Sequence, residues 1–334
     1  MGCYHHHPHQ HPTPHPIIMM IIDIHHHYFP PSLSAIKATQ SQSVGFRTPP
    51  ENLPWTVDSS LRAMDSLGIQ LAILSVPAGV AETFDQAKGA NELMYQIVQQ
   101  HKNRFAFWAC LGDWRDVKGK KKSALQLIPY VFDQLGAVGV AVSSSYGSGL
   151  DAKYIGDDLY ESIWSELDAR GAILFIHGTQ TPSSTPIPHP TLGLPITEVP
   201  HETFKAAAQL VVSGKTRRFL RLDLVLAHMG GSTLALAPRV AGLARYMGAS
   251  LSEDEILSEF RRYWWDVALS GSSASRGKQA ITIKFRSLRS LTKILQSISF
   301  VAVSLNTIRW FDGDLEKAIK STRQSWRAYA VQTF

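Results

Sequence analysis

A chain of 334 residues, 44% of them hydrophobic, is long enough to bury a sizeable core as two ordinary domains or one large α/β barrel. Two cysteines, Cys3 and Cys110, exclude a disulfide framework beyond a single bridge and point to a reducing compartment. The formal charge of +6 does not imply a nucleic-acid partner. The tight basic run Lys118-Gly119-Lys120-Lys121-Lys122 has no interleaved aromatic residue and reads as a solvated loop.

Residues 1–16, MGCYHHHPHQHPTPHP, alternate His with Pro and Gln and hold too little apolar surface to order themselves; they read as a flexible tail. From residue 17 to 334 one domain is expected. Ile17–Ile22 is too short for a signal segment, has no basic residues before it and has no small-residue cleavage site after it. No stretch reaches the ~18 apolar residues of a membrane span, so the expectation is a cytoplasmic protein without a membrane partner.

Short apolar runs then alternate with amphipathic stretches. The runs are Ile17–Ile24, Leu71–Val76, Phe105–Leu111, Val138–Val142, Ala172–Ile176, Leu222–Ala227, Tyr263–Leu269 and, less cleanly, Ile294–Val303. Continuous apolar runs of this length suit strands buried on both faces of a parallel sheet. Thr56–Leu67, Phe84–His101 and Asp158–Arg170 carry apolar residues at helical spacing. Eight strand candidates with room for helices between them predict a single (β/α)8 barrel of the TIM type, with a divergent eighth-strand region.

In such a barrel the chemistry collects at the C-terminal ends of the strands. The first run ends in His25-His26-His27, the fifth in His177, the sixth in His228, and the seventh contains Asp266. Strand alternation lets His25 and His27 face the barrel axis together and turns His26 toward the helices or a loop. His26 is therefore assigned to composition. Two imidazoles on one strand make a chelate for zinc or manganese, and His177 brings a third histidine to the same rim. The Met-Gly-Gly after His228 lets a backbone approach a ligand. Phe29 just past the first strand and Trp108 in the third are candidate substrate contacts, and for Trp108 an ordinary place in the barrel core fits the sequence equally well. The loop Thr179–Val199, with five prolines, is long enough to form a lid. Trp264 and Trp265, adjacent on a strand, should pack to opposite faces.

The stretches IDIHHHYFPP, ANELMYQIVQQHKNRFAFWACL, LGAVGVAVSSSYGSGLDAKYIGDDLYESIWSELDARGAILFIHG, LVVSGKTRRFLRLDLVLAHMGG and YWWDVALSG resemble the aminocarboxymuconate semialdehyde decarboxylase-like branch of the amidohydrolase superfamily. The resemblance spans about residues 18–274 and resumes near 304. Within that branch, TQTPSSTPIPHPTLGLPITEVPHET and WWDVALSGS are most similar to fungal 6-methylsalicylate decarboxylases of polyketide pathways, which release m-cresol. The resemblance implies one divalent metal, zinc or else manganese, held by His25, His27 and His177. It also implies a catalytic His228, Asp266 beside the site, a small aromatic acid as substrate and a homodimer.

One departure stands out. The family's strand-eight aspartate, a ligand and proton donor, falls on Ser299 when ILQSISFVAVS is placed against its motif, and no Asp or Glu occurs from Val267 to Phe311. Serine carries no charge for a metal and is a far weaker acid, so an impaired decarboxylase is expected, and Ser299→Asp should restore turnover. Two other functions stay open: a metal-dependent hydrolase of a lactone or amide, and an inactive paralogue that binds a pathway intermediate or a partner.

Overall fold

The computed structural model describes residues 20–30, 55–115, 123–179, 189, 191–266, 268 and 300–302. The tail 1–16, most of the first half of the expected lid, and Ser299 lie outside the described residues. Strand β1 is Met20–His27, helix α1 Val57–Leu67, β2 Ile69–Ser75, α2 Phe84–Gln100, β3 Phe105–Ala109 and α3 Ala124–Pro129. Then come β4 Gly139–Ser143, α4 Glu161–Arg170, β5 Ile173–His177, α5 Leu194–Val212, β6 Asp223–Leu226, α6 Thr233–Ala244, α7 Glu253–Phe260, β7 Trp264–Trp265 and β8 Phe300–Ala302.

These strands form one parallel sheet in the order β8-β1-β2-β3-β4-β5-β6-β7. Consecutive parallel neighbours joined through helices make a (β/α)8-type barrel. The helices start where the sequence provides caps. Thr56 with Ser59, Thr83 with Gln86, and Ser252 with Glu255 each form a reciprocal capping box at the N-termini of α1, α2 and α7, each such cap contributing about 1 kcal/mol. No helix among the described residues is long and apolar enough to cross a membrane.

Two apolar layers hold the barrel. The outer one, between strands and helices, includes Met64, Leu74, Met94, Phe107, Trp164 and Leu210. The inner one fills the barrel axis with Ile22, Ile24, Leu71, Ile73, Trp108, Ile173, Phe175, Val225 and Ala227. Trp264 packs on the inner layer and Trp265 on the outer, as alternation requires.

Strand β1 departs from simple alternation. Asp23 pairs with Ala72 and His26 with Leu74, so two residues, Ile24 and His25, stand where β2 has only Ile73. This is a β-bulge, a device that re-aims a side chain and recurs beside active sites. Its effect is visible in the contacts. Ile24 belongs to the inner layer, and the His25 ring lies 5.0 Å from Phe175 of that same layer. Both residues face the axis, whereas strict alternation from Ile22, also of the inner layer, would have turned His25 outward.

The expected lid is corrected at its C-terminal end. Leu194–Val199 is helical and forms the start of α5; Pro195 sits in the first turn, where a missing N–H costs nothing.

Candidate metal centre

Three histidines from two strand ends converge at the rim. One ring nitrogen from each of His25, His27 and His177 can be chosen so that all lie within 4.8 Å of one another. The Nε2 atoms of His25 and His27 are 3.0 Å apart, the spacing that two ligands at about 2.1 Å make when they meet a metal at near right angles.

The other ring nitrogens are occupied. His25 Nδ1–H donates to Asp266 Oδ2 at 2.5 Å, both groups buried. His177 Nδ1–H donates to the Gly178 carbonyl at 2.9 Å, and Ser75 Oγ lies 3.2 Å from His27 Nδ1. A carboxylate and a carbonyl accept only, so Nε2 of His25 and of His177 keeps its lone pair toward the shared centre. A carboxylate behind a ligating imidazole is a recurrent arrangement of metal sites. These residues therefore fit a divalent ion.

His228 closes the group, its ring 4.8 Å from His177 and 5.0 Å from His25. Its Nδ1 is buried with no hydrogen-bond partner among the described residues. Burial, followed by the neighbouring His177 and His25, holds its pKa well below the ordinary imidazole value. Its backbone is strained as well: His228 and Met229 both have φ of 54°, a region L-residues seldom occupy. The strain is fixed from two sides. The N–H of His228 donates to Asp266 Oδ2 at 3.3 Å, and that of Met229 to the Asp266 carbonyl at 2.5 Å.

Helix α5 closes on the rim through two glycines. A Cβ on Gly178 would lie 1.8 Å from the Val199 carbonyl oxygen, and one on Gly231 1.8 Å from that of Pro200. Only residues without side chains let α5 come so near the segments that follow His177 and His228.

A cleft of about 560 Å³, open mouth included, reaches the histidines at His177; Pro77, Leu111, Ser143, Tyr146 and Thr179 are among its walls. Ser143 pairs with His177 across β4 and β5 and so faces the same way. Glu82 also lines the cleft, and burial, with Asp113 nearby, pushes its carboxyl pKa up. Cys110, another wall residue, is pushed up to about 11 by burial, which leaves it a thiol at neutral pH.

Several sequence-based assignments change. Trp108 is not a cleft residue. It is buried in the inner layer, stacked at 6.1 Å on Phe175, and its Nε1–H donates to the Ile24 carbonyl at 2.9 Å; Gly139 on β4 makes room for the indole. Phe29 stays near the centre, its ring 6.3 Å from His27. Asp266 directs both oxygens at His25 and backbone amides. His26, assigned to composition, is buried and engaged on both ring nitrogens, by Asp23 and Ser60. In strand eight, Phe300 pairs with Met20 and Ala302 with Ile22; Ser299, the expected position of the acid, lies outside the described residues. Ser75, Ser143 and Glu82 were missed, because a serine or glutamate after an apolar run carries no signal of its own.

A parallel barrel with an inward three-histidine centre and an adjoining cleft is a scaffold for metal-dependent chemistry on a small molecule. Residues 22–268 match the family described as Amidohydrolase, and the chain belongs to it. Among its relatives is the decarboxylase yanB of Aspergillus niger, 32% identical over 266 residues, which cover 75% of this chain and 70% of yanB. Another is the 6-methylsalicylic acid decarboxylase acuB of Aspergillus aculeatus, 31% identical over 269 residues, covering 77% and 78%. In three dimensions the chain is similar to a dihydroxybenzoic acid decarboxylase from Polaromonas with bound manganese and the inhibitor 2-nitroresorcinol. That likeness has a TM-score of 0.63 at 18% identity and covers 86% of each chain.

Proposed function

We propose that this protein is a carboxy-lyase that decarboxylates a salicylate-type aromatic acid without an oxidant, with 6-methylsalicylate, giving m-cresol, as its first candidate substrate. The observation that carries the reading is the convergence of His25, His27 and His177 with His228, whose Nδ1 has no hydrogen-bond partner among the described residues, at a rim that the cleft reaches through His177. Relatives named as decarboxylases, one of them of 6-methylsalicylic acid, support it.

His25, His27 and His177 would hold one divalent ion, zinc or manganese. When bound, such an ion acts as a Lewis acid toward substrate oxygen. Decarboxylation needs the phenolic proton removed, the ring carbon that bears the carboxylate protonated, and the electron pair of the broken carbon–carbon bond returned to the ring. His228 suits both proton steps. Held neutral by burial, it accepts the phenolic proton, and the imidazolium so formed is a strong acid that passes the proton to carbon. Positioned proton transfer of this kind contributes about 10²–10⁴-fold. The cleft wall of Pro77, Leu111 and Tyr146 would take the ring and exclude water. Asp266 orients His25 and is a positioning residue in this scheme.

The test is incubation of metal-replete protein with 6-methylsalicylate, with m-cresol and carbon dioxide as products; His228→Asn should lower kcat by about 10²–10⁴-fold with metal retained. Full metal occupancy with no turnover on 6-methylsalicylate and 2,6-dihydroxybenzoate would sink the proposal in favour of an inactive binder. Hydrolysis of lactone or amide substrates would replace it with a hydrolase.

A further inference from the structure

A bulge frees backbone groups that a regular ladder would have paired, and in β1 two of them have been given a side chain. The N–H of His25 donates to Asp23 Oδ1 at 3.1 Å. The carbonyl of Ile24 accepts from Trp108 Nε1 at 2.9 Å. Asp23 is itself held: its Oδ2 is 2.9 Å from His26 Nδ1, and His26 Nε2 is 2.6 Å from Ser60 Oγ on α1. Asp23, His26 and Ser60 are 0%, 3% and 5% exposed, so water does not stand in for any of them.

From this we infer that His26, with Asp23 and Ser60, is a clamp on the outer face of β1. It fixes the bulge and thereby aims His25 and His27 at the metal centre. The chain of contacts runs from helix to ligand without a gap: Ser60 to His26, His26 to Asp23, Asp23 to the amide of His25. The middle residue of the His-His-His run is thus a positioning residue that never touches the ion. Trp108 performs the matching task from inside the barrel. The inference rests on the metal reading of the three histidines, and it has a structural half that does not.

The test uses the full-length protein, cobalt(II) as the probe ion, and the variants His26→Ala, His26→Asn, Ser60→Ala and His25→Ala. Met64→Ala serves as a control: Met64 is fully buried on the same helix but has no part in the clamp. In metal-free protein, amide hydrogen exchange of the peptide spanning 20–30 should be faster in His26→Ala than in Met64→Ala at matched global stability. Loss of outer partners typically costs about 10–100-fold in metal affinity. His26→Ala should lose cobalt affinity to that extent and show shifted visible absorption bands. His26→Asn, which offers Asp23 a donor but does not reach Ser60, should recover part of both. Met64→Ala should keep the wild-type spectrum.

Exchange in His26→Ala no faster than in Met64→Ala overturns the clamp. So does wild-type cobalt affinity and spectrum in His26→Ala, in a protein whose cobalt binding is abolished by His25→Ala. A wild-type protein that binds no cobalt overturns the metal reading instead, and the exchange measurement still decides the clamp.

Discussion

Replacing Asp266 by asparagine keeps the shape of a buried side chain and removes its ability to accept on both oxygens. The carboxylate has three donors around it: His25 Nδ1–H at 2.5 Å and His228 N–H at 3.3 Å on Oδ2, and Ala268 N–H at 3.1 Å on Oδ1. An amide has one oxygen for them. If it faces His25, the NH2 group meets the Ala268 N–H, and two donors confront each other. If it faces Ala268, the NH2 group meets His25 Nδ1, which can satisfy it only by giving up its proton. The imidazole then carries that proton on Nε2, the atom that must keep a lone pair for the metal.

The size of the effect follows. A hydrogen bond to a charged group is worth about 1.5–3 kcal/mol and a neutral one about 0.5–1.5. The difference, of order 1–2 kcal/mol, corresponds to a ~5–30-fold loss of metal affinity at about 1.4 kcal/mol per decade, overlapping the ~10–100-fold range for partners of ligating histidines. The assay is a zinc or manganese competition titration against a chromophoric chelator, with circular dichroism to show that the variant is folded. Asp266→Asn that binds metal as tightly as the wild type, while His25→Ala does not bind, would refute the argument that Asp266 sets the His25 tautomer.

Other outcomes follow from the same geometry. Gly178→Ala and Gly231→Ala place a Cβ 1.8 Å from the Val199 and Pro200 carbonyls; each should lower the urea midpoint by an overpacking cost of about 1–3 kcal/mol, with Gly231→Ala the worse because its φ of +58° adds backbone strain. Stripping metal with a chelator should abolish turnover and lower the melting temperature; at metal concentrations 100-fold above Kd the ion contributes about 2.7 kcal/mol, and an unchanged melting curve would deny a bound ion. The Glu255 carboxyl is lowered from 4.5 to about 2, first by the Ser252 N–H and hydroxyl and then by Arg217. A depressed carboxylate stabilises above its unfolded pKa, so its contribution should vanish as pH falls from 4.5 toward 2, and Glu255→Gln should flatten that part of the stability–pH curve.

The barrel was legible because its strands are buried on both faces and read as unbroken apolar runs; the ladder order β1 to β7 then follows from short right-handed crossovers. The histidines at 25, 27, 177 and 228 were legible for a related reason, that polar residues closing apolar runs must sit at strand ends. Trp108 stayed open between cleft and core because an indole in an apolar run looks the same whether it faces a cleft or fills the axis. What decides is the Ile24 carbonyl, freed by a bulge more than eighty residues upstream, and pairing between distant segments leaves no local trace. The lid was misjudged where Pro195 seemed to break structure and in fact opens α5.

The bulge also decides what surrounds the histidines. Two residues of β1, Ile24 and His25, stand against one of β2, which brings His25 to the axis beside Ile22 and Ile24. Strand eight pairs with β1 at Met20–Ile22, and Ser299, where the family motif places its acid, lies outside the described residues. Where a bulge aims the imidazoles, the proton chemistry is judged by what surrounds them. There the structure offers His228, its pKa held down by burial, beside His177 and His25.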